Sequence, residues 1–193
     1  MTMERHGEAL DRMTTSQKLD PLSLIINVAV GWAFYHARRY EEAIEQLRRT
    51  IELDPNYPVT YWILGLALRK IGSYDLAVTE GKKGVELSGG SPLMSGALAH
   101  TLGAAGRTEE ALGILKELTE LAKQKYVAPY YFAGIHIGLG DSDRAMEFLE
   151  KSYEEHSHWL VYLHLDPSMD GLRGDARFQD LLLRVGLPHF HDR

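Results

Sequence analysis

No cysteine occurs among the 193 residues. That excludes a disulfide framework, a thiolate zinc site and a cysteine nucleophile, and it leans towards a reducing, cytoplasmic compartment. Long apolar runs are missing too. The most apolar stretch, Leu22 to Ala37, is broken by Ser23 and Asn27, and it is shorter than the ~20 residues needed to cross a bilayer. The N-terminal MTMERHGEALDRM is charged throughout and lacks the apolar centre of a secretion signal. Positive charge is in deficit, with 21 Lys and Arg against 27 Asp and Glu and a net charge of −6. A phosphate backbone is repelled on average by such a chain, so neither nucleic acid nor a membrane is expected as a partner. Nucleophile-elbow and phosphate-loop patterns are absent, and Gly81-Lys82-Lys83-Gly84 falls inside a helical pattern with no strand ahead of it. With 45% apolar and 25% charged residues, the composition is that of an ordinary globular chain.

What the sequence does have is a period of 34. The pairs Ala9-Leu10, Ala43-Ile44, Ala77-Val78, Ala111-Leu112 and Ala145-Met146 recur on it without one insertion, as do Gly31, Gly65, Ala99 and Ala133. Each unit reads as helix, tight turn, helix. In the first helix the fourth, seventh, eighth and eleventh places form one stripe that can bury against the second helix. The small eighth residue faces the alanine at place twenty and permits a close approach. Turn chemistry follows at Gly72-Ser73, Gly106-Arg107-Thr108 and Gly140-Asp141-Ser142, whereas the first unit has Arg38-Arg39, which a longer helix would accommodate. Leu-Asp-Pro at 19–21 and 53–55 ends the second helices.

These residues resemble the tetratricopeptide repeat (TPR): 34 residues, two antiparallel helices, small residues at places eight and twenty, and proline near the end. The resemblance implies an all-α, right-handed solenoid of four units, 24–57, 58–91, 92–125 and 126–159, preceded by a half repeat within 1–21 whose lone helix covers about 6–19. Residues 1–5 are expected to be disordered. The segment 160–193 leaves the period and is read as a cap, with Asp175 opening a helix that carries Phe178, Leu181, Leu182 and Val185 on one face. Its sequence, HWLVYLHLDPSMDGLRGDARFQDLLLRVGLP within 158–188, is similar to the tails of bacterial TPR arrays that follow a nucleotide cyclase, a kinase or a winged-helix domain, which implies a regulatory context. Two departures stand out. Place four holds Asn27, Tyr61, Ser95 and Pro129, of which only Tyr61 is the usual aromatic, and Gly81 and Gly84 interrupt a second helix, either for close packing or to open a pocket.

The side of each first helix opposite the packing stripe forms the inner wall of such an array. It carries Trp32, Tyr35 and His36, then Trp62, Leu66, Arg69 and Lys70, then His100, then Tyr130 and Tyr131. That aromatic strip suits a protein or peptide ligand, with Arg69 and Lys70 selecting an acidic group, unless the chain's own C-terminal segment packs on it. The carboxylate clamp of chaperone-binding TPRs is not expected, because Val28, Trp32, Ile63, Leu93 and Ala97 stand at its places. The leading function is therefore non-enzymatic binding, with no cofactor. The alternative is a sensory or self-association module, a homodimer closing over the open N-terminal helix, since a solenoid unit cannot bury its apolar face alone. A remoter alternative is a metal enzyme built on His156, His158, His164, His189 and His191 with Asp166 or Asp192. Charged sets such as Glu41, Glu42, Glu45, Arg48 and Arg49 read as a solvated helix face.

Overall fold

A computed structural model describes residues 2–187 of the chain, with side chains at residues 7, 8 and 10–187. The described residues hold ten α-helices, two 3-10 segments and no strand. In order these are α1 Thr2–Leu19, α2 Leu24–His36, α3 Tyr40–Leu53, α4 Pro58–Lys70, α5 Tyr74–Leu87, α6 Pro92–Ala104, α7 Thr108–Ala122, α8 Pro129–Gly138, α9 Ser142–Glu154 and α10 Ala176–Val185. The 3-10 segments are His158–Tyr162 and Pro167–Leu172. The chain divides into two compact units, residues up to Met94 and residues from Ser95.

The N-terminal unit is built on the small places. Ala43 and Ala77 are buried, and a Cβ added to Gly31 would stand 2.7 Å from the Leu47 side chain. At Gly65 it would stand 3.2 Å from the Ala77 carbonyl and 3.6 Å from the Gly81 nitrogen. Gly84 has the same function, with Trp62 N and Tyr61 Cβ each 3.4 Å from where its Cβ would lie. The glycines inside α5 thus bring it close to α4, which is the close-packing reading of that departure. Val30, Tyr35, Leu47, Ile63, Leu64 and Ala67 complete the buried core, each at most 2% exposed.

The lone first helix starts earlier than the sequence reading placed it. It runs from Thr2, so residues 2–5, expected outside any structure, belong to its first turns, and Met1 lies outside the described residues. Met3, Glu4, Arg5 and Glu8 are all good helix formers, and only Gly7 opposes them. A knot of amides ties α1 down. Gln17 donates to Asn27 Oδ1 at 2.7 Å and to Gln46 Oε1 at 3.1 Å, and Gln46 donates to Asn27 Oδ1 at 2.9 Å. Asn27 in turn donates to the carbonyls of Pro21 and Ser23, both at 2.9 Å. Place four holds an amide in the first unit because it serves three helices, and its polar atoms are satisfied although Asn27 is 4% exposed.

In the C-terminal unit Ala111 and Ala145 are fully buried, as are Ala99 and Ala133. Here α6 and α8 meet backbone to backbone. A Cβ on Gly138 would press on the His100 carbonyl and lie 2.7 Å from the His100 Cα, and one on Gly103 would lie 2.7 Å from the Gly138 carbonyl carbon. Helix α8 is the shortest repeat helix, because Pro129 holds Ala128 extended at φ −59°, ψ 128° and removes the first turn. The capping helix is α10: the Asp175 carboxylate accepts from the Arg177 N–H at 2.8 Å, Gly186 ends it at φ 81°, and Phe178, Leu181 and Leu182 are fully buried. The two 3-10 segments ahead of it had no counterpart in the sequence reading.

Each of α2, α4, α6 and α8 ends on the same pair of bonds, of which the longer-range ones run from Arg39 N–H to Phe34 O, Ser73 to Leu68, Arg107 to Leu102 and Asp141 to His136, at 2.9 to 3.0 Å. That closure needs a left-handed residue, which is Gly72 at φ 77°, Gly106 at 77° and Gly140 at 78°. In the first unit it is Arg38 at φ 63°. The longer helix expected there does not form, since α2 and α4 both have 13 residues. The turn geometry is kept and Arg38 takes the strain instead. A non-glycine residue there costs on the order of 1 kcal/mol. Arg38→Gly is therefore expected to raise stability by about 0.5–1 kcal/mol, read from denaturant unfolding; an unchanged or lower midpoint would contradict the strain.

Candidate functional site

The inner-face residues of the sequence reading fall into two groups, one in each unit. In the N-terminal unit, place nine of α2 lies beside place five of α4, so the Trp32 and Trp62 rings meet with centroids 5.1 Å apart and planes tilted 36°. His36 stands edge-on to Trp32 at 4.4 Å, Tyr35 stacks on Trp32 at 5.5 Å, and Tyr40 of α3 closes the row 6.0 Å from Tyr35. Trp32, His36, Trp62 and Lys70 keep part of their surface. Tyr35, Leu66 and Arg69 do not, at 0%, 6% and 5% exposed. For Tyr35 and Arg69 the reason is angular: place twelve lies only about 40° from place eight on the helix and is drawn into the packed stripe. Two of the proposed aromatic and cationic contacts are thus interior groups, and the accessible face is smaller than the sequence implies.

In the C-terminal unit the strip is taken up by the chain itself. Tyr130 is 7% exposed; it stacks on Trp159 at 5.8 Å, and its hydroxyl donates to Asp166 Oδ2 at 2.9 Å. Tyr131 is half-buried and accepts from Trp159 Nε1 at 3.1 Å. Burial holds the Tyr131 phenol above its ordinary pKa, against the opposing hydrogen bond from Trp159. Asp166 also accepts from the Ser168 N–H at 2.8 Å, capping the second 3-10 segment. His100 is 8% exposed where α6 and α8 cross. Trp159 and Asp166 were missed as organising residues, although the apolar and aromatic run Trp159 to Tyr162 at the end of the last repeat was a readable signal.

The histidines do not gather. His156 Nδ1 lies 3.0 Å from the Tyr153 carbonyl, His158 is exposed beside Trp159, and His164 is 5% exposed. His136, on α8, stacks on Phe148 at 5.5 Å; burial lowers its pKa, and Asp141, 3.6 Å away, pulls the other way. His189, His191 and Asp192 lie outside the described residues. Among the described residues no group of three or more His, Cys, Asp or Glu side chains is placed to hold a metal ion. Among them, too, no helix is long and apolar enough to cross a membrane.

A cleft of about 510 Å³ opens on the α3 side of the N-terminal unit, floored by Ile44, Leu68, Ile71 and Leu76 and rimmed by Glu41 and Glu45. Around the α1–α2 corner Leu19, Leu22 and Ile25 are 84%, 72% and 73% exposed.

Likeness to known proteins agrees with this geometry and defines the class. A family model described as TPR repeat matches residues 31–72. Solved structures share the fold over most of the chain. TTC0263, a thermophilic TPR protein of Thermus thermophilus, superposes with a TM-score of 0.65 at 17% identity, covering 94% of this chain and 93% of that one. MamA gives 0.57 at 19%, covering 83% and 94%, and YrrB, described as a TPR protein with an unusual peptide-binding site, gives 0.51 at 20%, covering 84% of each. No curated protein sequence matches the chain. Residues 31–72 match the TPR repeat, and the all-α fold is that of TPR solenoid proteins.

Truncating the Tyr130 hydroxyl removes one of the groups that hold the Asp166 carboxylate, which is only 9% exposed. Tyr130→Phe is expected to lower stability by about 1–3 kcal/mol, seen as a lower thermal midpoint; a change within about 0.5 kcal/mol would mean that the bond does not anchor the C-terminal segment.

Proposed function

We propose that the chain is a non-enzymatic scaffold that binds a protein or peptide through the aromatic face of α2 and α4. The observation that supports this is the pair Trp32 and Trp62, in ring contact across two helices yet both partly open to solvent. Two large rings fixed by neighbours present apolar area at little entropic cost, which is why tryptophan is favoured at the centre of interfaces. Lys70, about two turns beyond Trp62 on α4, keeps part of its surface, and Arg69 beside it in sequence is buried. The peptide-binding site named for YrrB agrees with a recognition role for this fold. Peptides selected from a displayed random library are expected to bind the wild-type chain and to lose about tenfold or more in affinity on Trp62→Ala or Trp32→Ala, with circular dichroism confirming folded variants. Selected peptides indifferent to both changes would remove the face from the reading.

A second reading, self-association through the N-terminal region of a signalling protein, is favoured by the exposed Leu19, Leu22 and Ile25. Sedimentation across a concentration series is expected to show a dimer that Leu22→Glu with Ile25→Glu abolishes; a monomer throughout rejects this reading.

A further inference from the structure

Places sixteen and nineteen flank the start of each second helix, and three of the four units put charge at both. Arg39 engages Glu42, and Arg107 engages Glu110 at 2.6 Å. In the last unit the Asp141 carboxylate accepts from the Arg144 N–H at 3.0 Å. The second unit holds Ser73 and Leu76 instead, and both line the cleft on the α3 side. The exchange takes the charged pair away from the corner where the apolar floor lies. Leu76 is 50% exposed and Ile71 40%, beside the buried Ile44 and Leu68. Burial does not account for a leucine that leaves half its surface in water. The turn does not account for it either, since Gly72 closes it as Gly106 and Gly140 close theirs. Contiguous exposed apolar area of this kind marks contact with something apolar.

The rim states the charge of that contact. It consists of Glu41, Glu45, Arg48, Arg49 and Glu52, all on α3. Both arginines are answered within the unit. Arg49 pairs with Glu45, and Arg48 acts on Glu80, whose carboxyl burial holds above its ordinary pKa against the pull of that arginine. Glu41 and Glu52 have no ion-pair partner among the described residues. Glu41 lies in the first turn of α3, where the helix dipole favours a carboxylate. Glu52 lies in the last turn, where the dipole opposes one, and no basic residue of that turn offsets it. A cation arriving from outside would relieve Glu52 and complement Glu41.

We infer that this cleft is a second docking surface, independent of the α2–α4 face, and that it takes a basic segment of a partner protein. An aliphatic or aromatic side chain of that segment lies on Ile71 and Leu76, and a Lys or Arg on either side of it reaches Glu41 and Glu52. Eleven residues of helix place those two carboxylates about 16 Å apart, the span of about five residues of extended chain. The charges are exposed to solvent, so the attraction weakens with salt.

The test uses the full chain and a displayed library of random peptides. Enriched peptides are expected to include a class with one apolar residue bracketed by Lys or Arg. For one such peptide, fluorescence polarisation should show binding about tenfold weaker or more with Leu76→Ala, and likewise with Glu41→Gln and Glu52→Gln combined. Trp62→Ala should leave it unchanged, and circular dichroism should show every variant folded. Raising salt from ~0.05 to ~0.5 M should weaken it as well. The thermal midpoint of Glu52→Gln is expected to be no lower than that of the wild type; a lower one would make Glu52 a support of α3 and overturn its role here. Acidic or neutral peptides that need Leu76 would overturn the charge assignment. A dimer that Leu76→Ala dissociates in sedimentation would put a second copy in the cleft and overturn the partner. Peptides that need Trp62 but not Leu76 would overturn the cleft and leave the aromatic face standing, and peptides indifferent to both, or no enrichment at all, would overturn both surfaces.

Discussion

The structure depends on how closely one helix can approach the next at two small residues. At Gly65 an added Cβ would stand 3.2 Å from the Ala77 carbonyl, so backbone would have to give way slightly, and Gly31 is tighter still, with the Leu47 side chain 2.7 Å from where its Cβ would lie. Interiors are packed to crystal-like density, so a methyl group at such a point is felt as strain rather than absorbed. Once the paired helices sit at that distance, the positions flanking the contact are fixed in direction. The aromatic face, the cleft and the amide knot are all consequences of it.

The same constraint explains which features of the repeat the chain maintains and which it lets go. The turn after each first helix closes with identical bonds, and the chain accepts a strained Arg38 rather than lengthen α2, because a longer helix would shift α3 out of its contact. Place four tolerates Asn27 because Gln17, Gln46 and two carbonyls satisfy it, and such a polar knot fixes α1 in one register where a purely apolar contact would be less selective. Place four of the last repeat tolerates Pro129 at the expense of one helical turn.

Similar aromatic strips are packed differently in the two units. In the C-terminal unit Trp159, at the end of the last repeat, and Asp166, beyond it, occupy Tyr130 and Tyr131. In the N-terminal unit the Trp32 and Trp62 rings meet each other, Tyr35 stacks on Trp32, and both tryptophans are partly exposed.

The helices, their pairing and the repeat length were legible in the amino-acid order, because these rest on local periodicity and on residues a fixed number of places apart: Ala43, Ala77, Ala111 and Ala145 are buried as their spacing demands. The cap was legible as well, since Asp175, Gly186 and the face of Phe178, Leu181 and Leu182 are local signals. Which of the inner-face residues remain accessible was settled by packing in three dimensions. Tyr35 and Arg69 sit at the edge of a stripe, where a wheel cannot say which way a side chain turns, and Tyr130 is covered by a segment 36 residues further along. Burial depends on what arrives from a distance, and a helical period contains no record of that.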